Sequence, residues 1–412
     1  MQDTVGPGAA VDHPPAGAGP SGPGYRATVW TLALGQLVNW AVLYYGFSSL
    51  VLPMDTSLGW GQPVLMGAFT FGLAVCGVST YAVGALIDAG HGRAVMTGGV
   101  LAAALGVAGW SQVSQPWMLY AVWAVLGAAS AATLYDPVFA VLTKRYPTRF
   151  RHAITTLTLV GGFASTLSFP AIAGLQSLGL DWRQTLLVLA AALLAMVPLH
   201  AWALRGPMLV AGPVHENAQA DATVRQALRQ ASFWLMTGCF TLVAFSQAAL
   251  WAHVMPAFAD KGVAQADSLL VLMAVGPSQV LGRMVFLWVG QHWRWRSLGM
   301  FVLGAMPIGL ALLALGQSLG VLLLFALVFG LGNGLVTIVR GGLVPLYWGR
   351  GQVGRISGLM SGIGLIARAS APILATALLL VLPGYRELLL VLAGLGVLSL
   401  LAFWWAGPPG RG

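Results

Sequence analysis

The chain has 412 residues, 58% hydrophobic and only 8% charged, with a mean hydropathy of +0.81; this excludes an ordinary soluble globular domain and makes lipid the main solvent. The formal net charge is +9, yet the basic residues are scattered between apolar runs and not gathered on one face, so no nucleic-acid partner is expected. Cys76 and Cys239 each lie inside an apolar run, which supports neither a disulfide framework nor a thiol metal site.

In chain order, residues 1–24 are rich in Gly, Ala and Pro and carry Asp3 and Asp12. They lack the apolar core of a secretory signal and read as a disordered cytoplasmic tail. Crossing a bilayer as a helix takes about 20 apolar residues. Twelve stretches meet that requirement: 28–52, 62–87, 94–113, 116–143, 153–176, 184–204, 232–259, 267–290, 297–317, 319–345, 356–381 and 386–406. The expected fold class is therefore all-α integral membrane, with twelve transmembrane helices.

The longest connection, 205–230, contains Pro207, Pro213 and a polar stretch from His215 to Asp221. It divides a six-helix bundle over 25–204 from a second over 231–412. Asp221 reads as the N-cap of a short amphipathic helix, with Val224 and Leu228 four apart.

Basic residues in the connections fix orientation. One set of loops holds Arg93; Lys144, Arg145, Arg149 and Arg151; Arg205, Arg225 and Arg229; Arg294 and Arg296; and Arg350 and Arg355, whereas the alternate set holds only Arg183, Lys261 and Arg386. Both termini are thus expected in the cytoplasm, with the chain in the plasma (inner) membrane. The halves also echo each other. Asp136 and Arg340 are 204 positions apart, and the same shift superposes Arg151 on Arg355. Two repeated halves are characteristic of secondary transporters.

Four ionisable residues lie well inside apolar spans: Asp136, Arg283, Arg340 and Arg368. Each costs about 2.5–3.5 kcal/mol to insert, and such groups face a bundle interior or a water-filled path. At a rise of about 1.5 Å per residue, Arg283 and Arg368 fall near mid-depth and are expected to meet one substrate. Asp136 and Arg340 sit nearer the cytoplasm, at matching places in the two halves, and are expected to approach each other across an inner gate. Three cations against one anion leave excess positive charge, which an anionic substrate would compensate. Arg suits that task because its planar fork matches a carboxylate. The competing reading for Arg283 and Arg368 is a structural ion pair or a carbonyl-capping role, and for Asp136 and Arg340 it is snorkelling.

Further candidates are His253, able to carry a proton or donate to substrate, and the hydroxyls of Tyr44 and Tyr45, which interface anchoring explains equally well. Asn39, Gln247, Gln279 and Asn333 add polar atoms within the first, seventh, eighth and tenth spans, where interhelical hydrogen bonds also account for them.

Between the second and third spans the chain reads Gly84-Ala85-Leu86-Ile87-Asp88-Ala89-Gly90-His91-Gly92-Arg93. This resembles the signature of the major facilitator superfamily, although Ala89 stands where a basic residue is usual. Tyr44-Tyr45-Gly46-Phe47, Leu58-Gly59-Trp60 and Gly282-Arg283 resemble the monocarboxylate and oxalate/formate branch. The resemblance implies two pseudo-symmetric six-helix bundles, a carboxylate ligand in Arg283, and a second cation in Arg368. It also implies a gate built from Gly84, Asp88, Gly92 and Arg93, with Asp88 near the start of the eleventh helix, around Val353 to Ile356. The loop Gly290-Gln291-His292-Trp293-Arg294 lacks the acidic residue many relatives carry.

The expected activity is alternating-access transport of a small organic anion such as a monocarboxylate, coupled to protons or to an exchanged anion, by a monomer without a cofactor. The alternative is an exporter of drugs or toxic compounds. Phosphate-loop, His-Glu-x-x-His and Gly-x-Ser-x-Gly patterns are absent, which argues against ATP-driven transport and an embedded enzyme.

Overall fold

The structure is a computed structural model that describes residues 22–206, 221–288 and 293–407. The tail at 1–21, Pro207, Pro213 and His215 of the long connection, and Gly290 to His292 lie outside the described residues.

Twelve helical spans follow one another: α1 (Tyr25–Leu58), α2 (Gln62–Leu86), α3 (Gly92–Trp110), α4 (Pro116–Arg145) and α5 (Phe150–Ser177), and α6 (Trp182–Ala203). After the connection come α7 (Ala231–Asp260), α8 (Gln265–Trp288), α9 (Trp295–Leu315), α10 (Leu319–Trp348), α11 (Val353–Leu379) and α12 (Tyr385–Trp405). Among the described residues there is no strand, as a bilayer demands of a chain that satisfies its backbone within each span. The α2–α3 connection is tight enough that the two helices run almost continuously through Ile87–His91. Gly90 makes the bend at φ 91°, a conformation that costs glycine alone little.

Each half uses the same five neighbour pairs. In the first, α1 packs on α5 and α6, α2 on α4, and α3 on α4 and α6. In the second, α7 packs on α11 and α12, α8 on α10, and α9 on α10 and α12. The short range of Asp136–Arg340 echoes in sequence thus corresponds to a whole repeated bundle.

The halves meet chiefly along α2 and α11. Small residues let these backbones touch: a side chain on Gly84 would overlap the Gly354 carbonyl, and one on Gly358 the Thr80 carbonyl. The Thr80 hydroxyl donates to that of Gly358 at 2.8 Å. This contact runs toward the end of the bundle that carries Lys144, Arg145, Arg350 and Arg355, called here the basic end.

Two spans are broken. Pro137 lacks the N–H that would bond the Thr133 carbonyl and its ring crowds that oxygen, so α4 breaks at Leu134, which is extended (φ −78°, ψ −159°). In α5 the helix is interrupted between Gly161 and Ala164. The expected short helix runs Val224–Arg229, but its N-cap is Thr223, in a reciprocal capping pair with Gln226. Asp221 instead accepts from the amides of Arg350 and Gly351 at 2.7 and 2.9 Å. A carboxylate gains more from two converging amides of the α10–α11 turn than from one helix end.

Candidate functional site

Between the halves lie two adjoining chambers, a wide one of about 530 Å³ and a deep one of about 260 Å³. In α11 the wide chamber touches Leu365 to Pro372 and the deep one Met360 to Arg368, so the deep chamber lies nearer the basic end. Tyr44 and Arg368 line both. Arg368 donates to the Tyr44 hydroxyl at 2.9 Å, and its guanidinium stands 5.6 Å from the centre of that ring. Tyr44 reaches this point from a π-helical turn, Ala41–Tyr45, a local widening often found at functional sites. Tyr45 lines the wide chamber only. Among the described residues no carboxylate pairs with Arg368, and its side chain is exposed.

The floor of the deep chamber is an ion pair. Arg340 Nη2 donates to Asp136 Oδ1 at 2.6 Å, with both side chains about a quarter exposed. The break at Leu134 explains how a carboxylate is tolerated here, because it starts a new helix at Tyr135 with Asp136 in its first turn, where the helix dipole favours negative charge. The Thr133 carbonyl freed by Pro137 accepts from Gln36 Nε2 at 2.5 Å and from Asn39 Nδ2 at 3.4 Å. Gln247 donates to Asn333 on the wall of the wide chamber.

Below the floor the basic end is sealed. Asp88 pairs with Lys144 at 2.9 Å, the two side chains only 3% and 5% exposed. Its oxygens also accept the amides of Gly354 and Arg355 at 3.0 and 2.8 Å, at the start of α11 as the resemblance implied. Lys144 in turn donates to the Gly351 carbonyl at 2.9 Å. Gly84 supplies the close approach described above. Gly92 is a buried first residue of α3, and Arg93 donates to the Ala201 carbonyl at 3.0 Å, which ties α3 to α6 inside one half and does not cross the gate.

Two expectations are corrected. Arg283 and Arg368 do not meet in one pocket: Arg283 is 8% exposed and, among the described residues, lines neither chamber. Its Nε donates to the Gly334 carbonyl and its Nη1 to that of Thr158, both at 2.9 Å. The carbonyl-capping reading describes its geometry. A side chain on Gly162 would overlap the guanidinium, so that glycine makes the room. His253 also lines neither chamber; its Nε2 is 3.2 Å from the Pro372 carbonyl and 3.4 Å from the Thr376 hydroxyl, where it joins α7 to α11.

Sequence reasoning missed Lys144 as the partner of Asp88, and Gln36 as the partner of a freed carbonyl. Pro137 was the available signal for the second, since an intrahelical proline orphans the carbonyl four residues earlier.

The repeated bundles, the discontinuous spans and the charged central cavity define the class: a polytopic membrane protein with a carrier architecture. The chain belongs to the Major Facilitator Superfamily, whose family model matches residues 32–372. It is 29% identical over 215 residues to an uncharacterized 38 kDa protein in the 23S RNA operon of Thermoproteus tenax, and spans about half of that curated relative's length, 54%. Solved structures share the fold. The human organic anion transporter MFSD10 (TETRAN) aligns at a TM-score of 0.68 and 17% identity, covering 92% of this chain and 100% of that one. The Escherichia coli fucose:proton symporter FucP aligns at 0.70 and 14%, covering 93% and 99%. FucP in the outward conformation aligns at 0.71 and 14%, covering 93% and 100%.

Proposed function

We propose that the protein is a secondary active carrier that moves a small organic anion, such as a monocarboxylate, across the membrane by alternating access. The observation that carries this reading is Arg368, an exposed guanidinium at the junction of the two chambers that donates to a neutral phenol and, among the described residues, to no carboxylate. A cation held there without a carboxylate is stabilised by an anion, and a guanidinium offers a carboxylate two parallel donors.

Asp88, Lys144 and the Asp136–Arg340 pair close one end, which supports a state in which the chambers face the other. The basic end is the cytoplasmic one on the positive-inside rule, so this state faces outward. The aromatic walls, including Trp40 and Tyr135 in the deep chamber and Trp251 in the wide one, suit a cargo with an apolar body. They would equally suit an exporter of drugs or toxic compounds; the charge of the cargo separates the two readings.

Counterflow of labelled carboxylates in proteoliposomes, with and without a pH gradient, tests the proposal. Exchange of at least one carboxylate, abolished by Arg368→Gln and partly kept by Arg368→Lys, is the expected result. Preference for cationic cargo, or Arg368→Gln matching the unaltered protein, overturns it. Dependence on the pH gradient distinguishes proton coupling from anion exchange.

A further inference from the structure

The deep chamber carries three formal charges and no more among the described residues: Arg368, Arg340 and Asp136. Arg340 and Asp136 belong to this chamber alone, while Arg368 is shared with the wide one. The pair at the floor is closely joined, at 2.6 Å, and only about a quarter exposed. Asp136 therefore cancels one of the two guanidiniums, and the chamber presents a single uncompensated positive charge. A group of this kind admits one negative charge readily. A second carboxylate entering the chamber would have to settle beside Asp136, and like charges close together in a partly dry site repel strongly.

We infer that Asp136 sets the valence of the cargo: it is the specificity-determining residue that makes the deep chamber accept monoanions and reject dianions. This rests on the anion-carrier reading of the same site and extends it to substrate class. Arg340 is the group Asp136 masks, and the site would take a dicarboxylate if the mask were removed. One carboxylate would then pair with Arg368 at the junction and the other with Arg340 at the floor. Asp136→Asn keeps the shape of the side chain and an oxygen to accept from Arg340, so the change is in charge more than in packing.

A charge ladder tests this, using pentanoate and glutarate as probes of equal chain length. Inhibition by each is read in the counterflow assay, and binding to the purified protein is read by its thermal shift. The unaltered protein, at net +1 in the chamber, prefers pentanoate. Asp136→Asn, at net +2, shifts the glutarate-to-pentanoate ratio toward glutarate by on the order of tenfold or more. Arg340→Gln, at net zero with a bare Asp136, weakens pentanoate binding although Arg368 is intact. The double variant Asp136→Asn/Arg340→Gln, again at net +1, returns the preference to pentanoate. A merely structural role for the pair predicts that both single variants weaken both probes alike and that the double variant does not restore the ratio; that pattern overturns the inference while leaving the carrier reading standing. If the unaltered protein recognises no carboxylate at all, both fall.

Discussion

The guanidinium of Arg283 in α8 donates to the Thr158 carbonyl in α5 at 2.9 Å, joining the two halves through a bond in which neither partner is a carboxylate. The same side chain holds the Gly334 carbonyl in its own half, so it acts as a strut from the second bundle to the first. Bonds from a charged donor are worth about 1.5–3 kcal/mol each, enough to bias a two-state carrier by tenfold or more.

Alternating access requires the halves to part at the basic end, and the strut must then break. Arg283→Gln is expected to raise hydrogen exchange of the Gly354 and Arg355 amides, which in the closed state donate to Asp88. Gly162→Ala should act in the same direction by crowding the guanidinium. Exchange at those amides equal to that of the unaltered protein would reject the strut.

Asp88 and Lys144 form a buried pair, and removing one partner leaves the other charge uncompensated at a cost of about 3–5 kcal/mol. Asp88→Asn is expected to lower the thermal midpoint in detergent and to release α11's first turn. Asp88→Asn/Lys144→Met should recover part of that loss, because no lone buried charge remains. A double variant as unstable as the single one would show that the amide bonds, and not the pair, dominate.

Gln36 serves the carbonyl that Pro137 frees, so the two residues should be energetically coupled. Gln36→Leu leaves Thr133 with a buried, poorly paired oxygen, a loss of about 1–3 kcal/mol. Pro137→Ala restores an N–H four residues on and is expected to soften the effect of Gln36→Leu. The coupling is read from a double-mutant cycle of thermal stabilities, and simple additivity counts against it.

Tyr44 is an aid to Arg368 and not a substitute for it. Tyr44→Phe removes one neutral partner, worth about 0.5–1.5 kcal/mol, and is expected to change the apparent affinity for a transported carboxylate by less than about tenfold. Arg368→Gln should exceed that clearly. Equal effects from the two would mean that the phenol, and not the guanidinium, anchors the cargo.

Sidedness follows from the loop charges. A cysteine replacing exposed Thr148 at the basic end should react with a membrane-impermeant thiol reagent only after the cells are opened, and one replacing exposed Ser177 in intact cells. The reverse pattern would invert the assigned topology.

The number and order of the spans were legible because a bilayer enforces one rule locally: each crossing must be long, apolar and hydrogen-bonded within itself. Asp136 and Arg340 were legible as partners because a repeated fold carries matching positions to matching depths, and Asp88 because its motif occupies one fixed connection. Arg283 was not. Its depth resembles that of Arg368, yet what a guanidinium bonds depends on the direction it leaves its helix and on what stands opposite.

The sequence by itself determined that the chain lives in lipid, crosses it in two repeated sets of six, and buries more cations than anions, since these properties are sums over residues and their spacing. Only the tertiary structure decided which cation is left open at the junction of the two chambers. The Thr158 and Gly334 carbonyls hold Arg283 in the room that Gly162 leaves, Asp136 holds Arg340, and among these cations Arg368 is left facing a phenol and open space. Those assignments turn on contacts between residues from 51 to 324 positions apart, and no local pattern encodes them.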